Sequence, residues 1–173
     1  MDSAAYVIPV AAGALLLVWL SGHLIPREHR TSASITLPHS AERVWDVITD
    51  YAAQPTWHPD IEFVERLDDG ATWARWRERQ SRDVVKMVRE LESDPPRRVV
   101  WSFDEARRRF HALWDVELRG DADATRVTIT QFADIASPWT RVIALLLRRT
   151  SPLTLYLGSL ETRLNEPCDG LSA

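Results

Sequence analysis

His58 lies between Trp57 and Pro59 in the stretch Gln54-Pro55-Thr56-Trp57-His58-Pro59, where two prolines in five residues imply a rigid turn or a very short helix. An imidazole that titrates near neutral pH suits a general base or a polar ligand contact at a pocket mouth. An exposed turn residue is the other use open to it. In the run Thr72–Gln80, Arg75 and Arg77 share a parity with Trp73, while Trp76 and Glu78 take the other. Pattern alone assigns this run no inner face. A charge turned into an apolar cavity must be paired or must meet a polar ligand head, so either Arg75 or Glu78 is a site residue, or both are solvated. Gln131 follows Val127 and Ile129 on a buried parity, as a ligand contact or a satisfied core glutamine. Asp115 and Glu117 fall on a wet parity.

Covalent and metal chemistry find little footing. The 5 histidines show no HxxH, HExxH or HxH spacing, and Cys168 is the only cysteine, which excludes a thiolate cluster and a disulfide framework. No nucleophile elbow or phosphate-cradling loop occurs, and the chain has only 6 glycines. The 21 basic residues are balanced by 25 acidic ones, which argues against nucleic acid as a partner. All the basic residues but Lys86 are arginine, a bias that fits the codon composition of a GC-rich bacterial genome. Arg107-Arg108-Arg109 and Arg148-Arg149 are either headgroup contacts or solvated turns.

These residues must be positioned by a chain of 173 residues with two physical regimes. Residues 4–25 contain no Asp, Glu, Lys or Arg. As a helix that segment is about 33 Å long, enough for a hydrocarbon layer of roughly 30 Å, so it is expected to be a transmembrane helix. A cleaved signal fits less well, because Met1-Asp2-Ser3 offers no positive n-region. Arg27 and Arg30 follow the span and Asp2 precedes it, which places the remainder on the cytoplasmic side of a bacterial membrane. The 8 tryptophans are open to two uses, core packing and cavity lining.

Beyond the span, residues 31–37 read as a strand ending at Pro38, and Ser40 as the N-cap of a helix with Val44, Trp45, Val47 and Ile48 largely on one side. From Ile61 the period becomes twofold. Six short runs follow, separated by turn signals such as Asp68-Asp69-Gly70, Asp94-Pro95-Pro96 and Gly120-Asp121, which predicts an antiparallel meander. Phe110, Ala112, Trp114, Val116 and Leu118 share one parity, as do Val99, Trp101 and Phe103. One face is therefore apolar. After Ser137-Pro138 the helical period returns, and Pro152 divides it into one kinked helix or two, with Leu153, Leu157, Leu160 and Leu164 in the last part.

The stretch SITLPHSAERVWDVITDYAAQPTWHPDIEFVERL resembles the opening of the SRPBCC superfamily, the START-like or polyketide cyclase/dehydrase and lipid transport group. The matching residues are Val44-Trp45-Asp46-Val47-Ile48-Thr49-Asp50 and the W-x-P turn Trp57-His58-Pro59. The resemblance covers residues 31–166 and leaves 167–173 as a tail. It implies an α+β helix-grip fold of the birch-pollen-allergen type, in which a curved antiparallel sheet surrounds a long C-terminal helix and a cavity forms between them. Cavity lining is then expected from Trp57, Trp101, Phe103, Phe110, Trp114 and Leu157, with polar contacts from Tyr51, His58, Arg75 and Gln131. A hydrophobic small molecule or lipid is the implied ligand, with no cofactor or metal; an interior below ~300 Å³ would leave a typical ligand no room. Binding is favoured because no catalytic constellation appears. The alternative is a cyclase/dehydrase-like enzyme in which His58, Tyr51 or Arg75 polarises a carbonyl.

Overall fold

The computed structural model describes residues 4–67, 74–80, 84–105, 110–120, 122–146 and 152–166, with backbone alone for 4–8, 10, 11, 14, 110 and 144–146. Asp68-Asp69-Gly70, Trp73, Asp121, both arginine clusters and the tail lie outside the described residues. The elements run α1 (Ala4–Leu24), β1 (Glu28–Leu37), α2 (Ala41–Thr49), a short 3₁₀ helix (Tyr51–Thr56), β2 (Ile61–Arg66), β3 (Arg75–Gln80), β4 (Val84–Asp94), β5 (Arg98–Glu105), β6 (Phe110–Gly120), β7 (Thr125–Ile135), α3 (Pro138–Leu146) and α4 (Pro152–Asn165).

The strands form one 7-stranded antiparallel sheet in the order β1-β7-β6-β5-β4-β3-β2. The meander accounts for all of it except β1, which pairs with the last strand. Strand β1 also begins at Glu28, earlier than residue 31, because His29 and Arg30 continue the ladder opposite Ala133 and Phe132. Cross-strand pairing carries the apolar parity through the sheet: Val99 faces Val116, which faces Ile129, and Trp101 faces Trp114, which faces Gln131. Register shifts between Ile61 and Phe63 and between Glu90 and Glu92 bend the β2–β5 half, since an extra residue on one strand increases local twist.

The two capping signals hold. Ser40 accepts a hydrogen bond from the Arg43 N–H at 3.4 Å, and Ser137 accepts one from the Thr140 N–H at 3.4 Å. Helix α4 buries Leu153, Tyr156, Leu157, Leu160 and Leu164, a helical stripe laid into the concave side of the sheet. Helix α2 contributes Val44, Trp45 and Ile48 to the same core.

Helix α1 is continuous over 21 residues, with Pro9 inside it. Leu15, Leu17, Trp19, Leu20 and Leu24 are exposed. The transmembrane helix expected over residues 4–25 is not borne out: among the described residues no helix is long and apolar enough to cross a membrane. The C-terminal end of α1 is fixed to the domain. A Cβ on Gly22 would stand 2.4 Å from the Pro138 carbonyl oxygen, so the approach of α1 to the start of α3 requires glycine. Arg141 of α3 is buried there, and its guanidinium donates to the carbonyls of Gly22 and Ile25 at the end of α1 and to those of Ile135 and Ala136 at the end of β7, at 2.9–3.0 Å.

Candidate functional site

Between the bent β3–β6 half of the sheet, the 3₁₀ helix and α4 lies a recess lined by Tyr51, Gln54, His58, Ile61, Glu78, Gln80, Lys86, Trp101, Phe103, Trp114 and Tyr156. Measured out to its mouth it holds about 310 Å³, of which about 30 Å³ admits the centre of a water molecule. That inner space fits about two waters. Aromatic rings make up much of its wall. Tyr51 stacks on Trp76 at 4.9 Å and meets Trp101 edge-on at 5.8 Å; Tyr156 meets Trp57 at 5.4 Å, His58 at 5.7 Å and Trp114 at 5.3 Å.

Polar groups stand inside this aromatic shell. Glu78 is 1% exposed; its carboxylate accepts from the Tyr51 hydroxyl at 2.6 Å and from Gln80 Nε2 at 2.5 Å. Burial and the neighbouring Glu78 charge hold the Tyr51 phenol well above its ordinary pKa, so it stays a donor. Lys86 is the cross-strand neighbour of both Glu78 and Glu105, and burial lowers its pKa. Gln54 Nε2, Trp101 Nε1 and the Tyr156 hydroxyl are buried and have no hydrogen-bond partner among the described residues. Three residues of the recess lining therefore carry a buried donor without an acceptor among the described residues, each an uncompensated desolvation cost in a dry site.

The turn at His58 is built locally. Trp57 and His58 both donate their backbone N–H to the Gln54 carbonyl, and His58 Nδ1 accepts from the Asp60 N–H at 3.3 Å, which leaves the proton of the neutral ring on Nε2. Burial lowers the His58 pKa, partly offset by Glu78 and Asp60 and reinforced by Lys86. Below the ordinary value of 6.5 the unfolded chain therefore binds more protons than the folded one. Stability is intact above that pH and falls as pH drops towards the lower folded value. His58→Gln is expected to flatten this acid-side loss, read as urea midpoints between about pH 7 and about pH 5. Glu78→Ala is expected to cost about 2 kcal/mol in the same assay, because it orphans the Tyr51 hydroxyl and the Gln80 amide.

Of the residues expected from sequence, Tyr51, His58, Trp101, Phe103 and Trp114 line the recess. Trp57 packs beside it on Tyr156, and Leu157 sits in the adjoining core. Of the two charges left open on β3, Glu78 lines the recess, while Arg75 takes the opposite parity from Trp76 and Glu78 and is not part of that lining. Gln131 keeps the inward parity opposite Trp114 but is not part of the recess lining. The side chain of Phe110 lies outside the described residues. Sequence reasoning missed Gln54, Ile61, Gln80, Lys86 and Tyr156. Lys86 carried the one available signal, a lone lysine among arginines.

A bent antiparallel sheet closed by a C-terminal helix around an aromatic recess defines a helix-grip, START-like domain. The sequence matches the family model for polyketide cyclase/dehydrase and lipid transport over residues 28–151, and the chain belongs to that family. A search of curated proteins finds no match. Among solved structures, it is similar to the Zhui aromatase/cyclase of a Streptomyces species, with 19% identity, 80% of this chain and 97% of that chain covered and a TM-score of 0.65. A START superfamily protein from Mycobacterium smegmatis aligns at 17% identity over 78% of this chain and 96% of that chain, with a TM-score of 0.60. Norcoclaurine synthase from Thalictrum flavum aligns at 13% identity over 81% of this chain and 88% of that chain, with a TM-score of 0.62. At these identities the likeness is one of fold.

Proposed function

We propose that the domain binds a hydrophobic small molecule or lipid carrying at least one acceptor oxygen, in the recess between sheet and α4, while α1 ties it to the cytoplasmic face of a bacterial membrane. The observation that carries this reading is the set of unpartnered donors on Gln54, Trp101 and Tyr156 within an aromatic shell. A carbonyl, hydroxyl or carboxylate oxygen would satisfy them, and the rings would cover the ligand's apolar body. The inner space is too small for such a ligand at rest, so binding requires the aromatic lining to part. The membrane tie is read from the sequence, whose residues 4–25 contain no Asp, Glu, Lys or Arg, while no helix among the described residues is long and apolar enough to cross a membrane.

Native mass spectrometry of the full chain released from detergent tests the reading. A copurified or exchangeable apolar ligand, lost in Tyr156→Ala, is the expected result. A chain that carries nothing and takes up neither naphthylmethanol nor fatty acid would overturn it, and would favour a packed interaction module, the reading that the small inner volume supports. The alternative of a cyclase/dehydrase-like enzyme draws on the Tyr51–Glu78 pair beside Lys86 and requires turnover in the same recess.

A further inference from the structure

We propose that Lys86 captures its ligand covalently, its amine forming an imine with the carbonyl carbon of a hydrophobic aldehyde or ketone held in the recess. This rests on the reading that the recess admits a hydrophobic ligand. The chain uses arginine at every other basic position, yet the one inward-facing basic position of β4 is lysine. The distinction is chemical. A guanidinium stays protonated and presents no nucleophilic lone pair, whereas an ammonium on a flexible stem loses its proton readily when desolvated.

The surroundings favour the free amine. Lys86 lines the recess with Tyr51, His58 and Trp101, and among the described residues no carboxylate lies within ion-pair distance of Nζ. Glu78, Glu105 and Asp60 act on it through space and partly oppose the desolvation that lowers its pKa. A carbonyl oxygen placed on the orphaned donors of Trp101, Tyr156 or Gln54 would be polarised towards attack.

In the step itself the Nζ lone pair forms a bond to the carbonyl carbon as the C=O pair moves to oxygen, giving a carbinolamine once a proton passes from nitrogen to oxygen. Glu78, the cross-strand neighbour, is the group available to relay that proton. A second proton then passes from nitrogen to the same oxygen, the C–O bond breaks, and water leaves as the C=N bond forms. Amine and carbonyl are consumed one for one, with no oxidant or reductant.

The test uses the full chain in detergent with naphthaldehyde and sodium cyanoborohydride, which reduces an imine to a stable secondary amine. Since Lys86 is the only lysine, peptide mapping has one side-chain position to find. The expected result is a naphthylmethyl adduct on Lys86, formed at least tenfold faster than on the α-amino group, and absent in Lys86→Arg and Lys86→Met. Guanidinium unfolding should abolish the rate advantage. Binding of unreactive naphthylmethanol, followed by tryptophan quenching, is measured in parallel. If naphthylmethanol binds and Lys86 is labelled no faster than the α-amino group, covalent capture is overturned while the binding reading stands. If naphthylmethanol does not bind and Lys86 is not labelled selectively, the binding reading falls and capture falls with it.

Discussion

Trp101→Ala is expected to lower the unfolding free energy by about 3–5 kcal/mol, the range for truncating a large aromatic side chain in a packed interior. Trp101 is 1% exposed, meets Tyr51 edge-on and stands opposite Trp114 across the β5–β6 ladder. Its loss would open a cavity between the two halves of the recess wall. Trp101→Phe separates packing from polarity: it keeps a ring but removes the indole N–H, which has no partner among the described residues. That change should cost only about 1–2 kcal/mol in stability. If the N–H meets a ligand oxygen, the same variant should weaken capture of naphthylmethanol about tenfold. Unfolding followed by tryptophan fluorescence and a binding titration on the same samples check both values, and a binding loss no larger than the stability change explains would remove Trp101 from the polar contact set.

Arg141→Met is expected to cost a similar amount, about 3–5 kcal/mol, because four carbonyls lose a charged donor together. Those carbonyls belong to Gly22, Ile25, Ile135 and Ala136, so one side chain joins the end of α1 to the end of the sheet. Its positive charge also complements the negative end of the α1 dipole. Arg141→Lys should recover little, since one ammonium cannot reproduce a fork that reaches four acceptors. Limited proteolysis gives the specific readout: the residue 24–28 link between α1 and β1 should become cleavable in Arg141→Met while the sheet resists. Equal protection of that link in both proteins would show that α1 is held by other contacts, with the close seat of Gly22 under Pro138 the first candidate.

Most of the architecture was legible because apolar residues announce their period. The alternation from Ala112 to Leu118 and from Val99 to Phe103 places β6 and β5 with their inner faces correctly assigned, and the Ser40 and Ser137 caps fix two helix starts. The recess was only half legible. In β3 the inward parity holds Trp76, Glu78 and Gln80, so a reading that sends charges to solvent cannot orient the strand. Lys86 failed for the same reason, since an inward lysine in a strand looks like solvated surface until its cross-strand neighbours are known. Tyr156 belongs to a helix whose leucines dominate the pattern, and only the packing of α4 shows that it lines the recess. Arg141 gave no warning either, because its carbonyl acceptors come from residues far apart in sequence. Polar side chains that break the local pattern are where function concentrates, and they resist pattern reading for that reason.

The central claim is that the orphaned donors of this recess hold the oxygen of a hydrophobic ligand. The indole N–H resonance of Trp101, assigned through Trp101→Phe and followed during titration with naphthylmethanol and with methylnaphthalene, tests it most directly. A saturable downfield shift with the alcohol, weaker or absent with the oxygen-free analogue, is the predicted result; an unmoved Trp101 resonance with both compounds would contradict it.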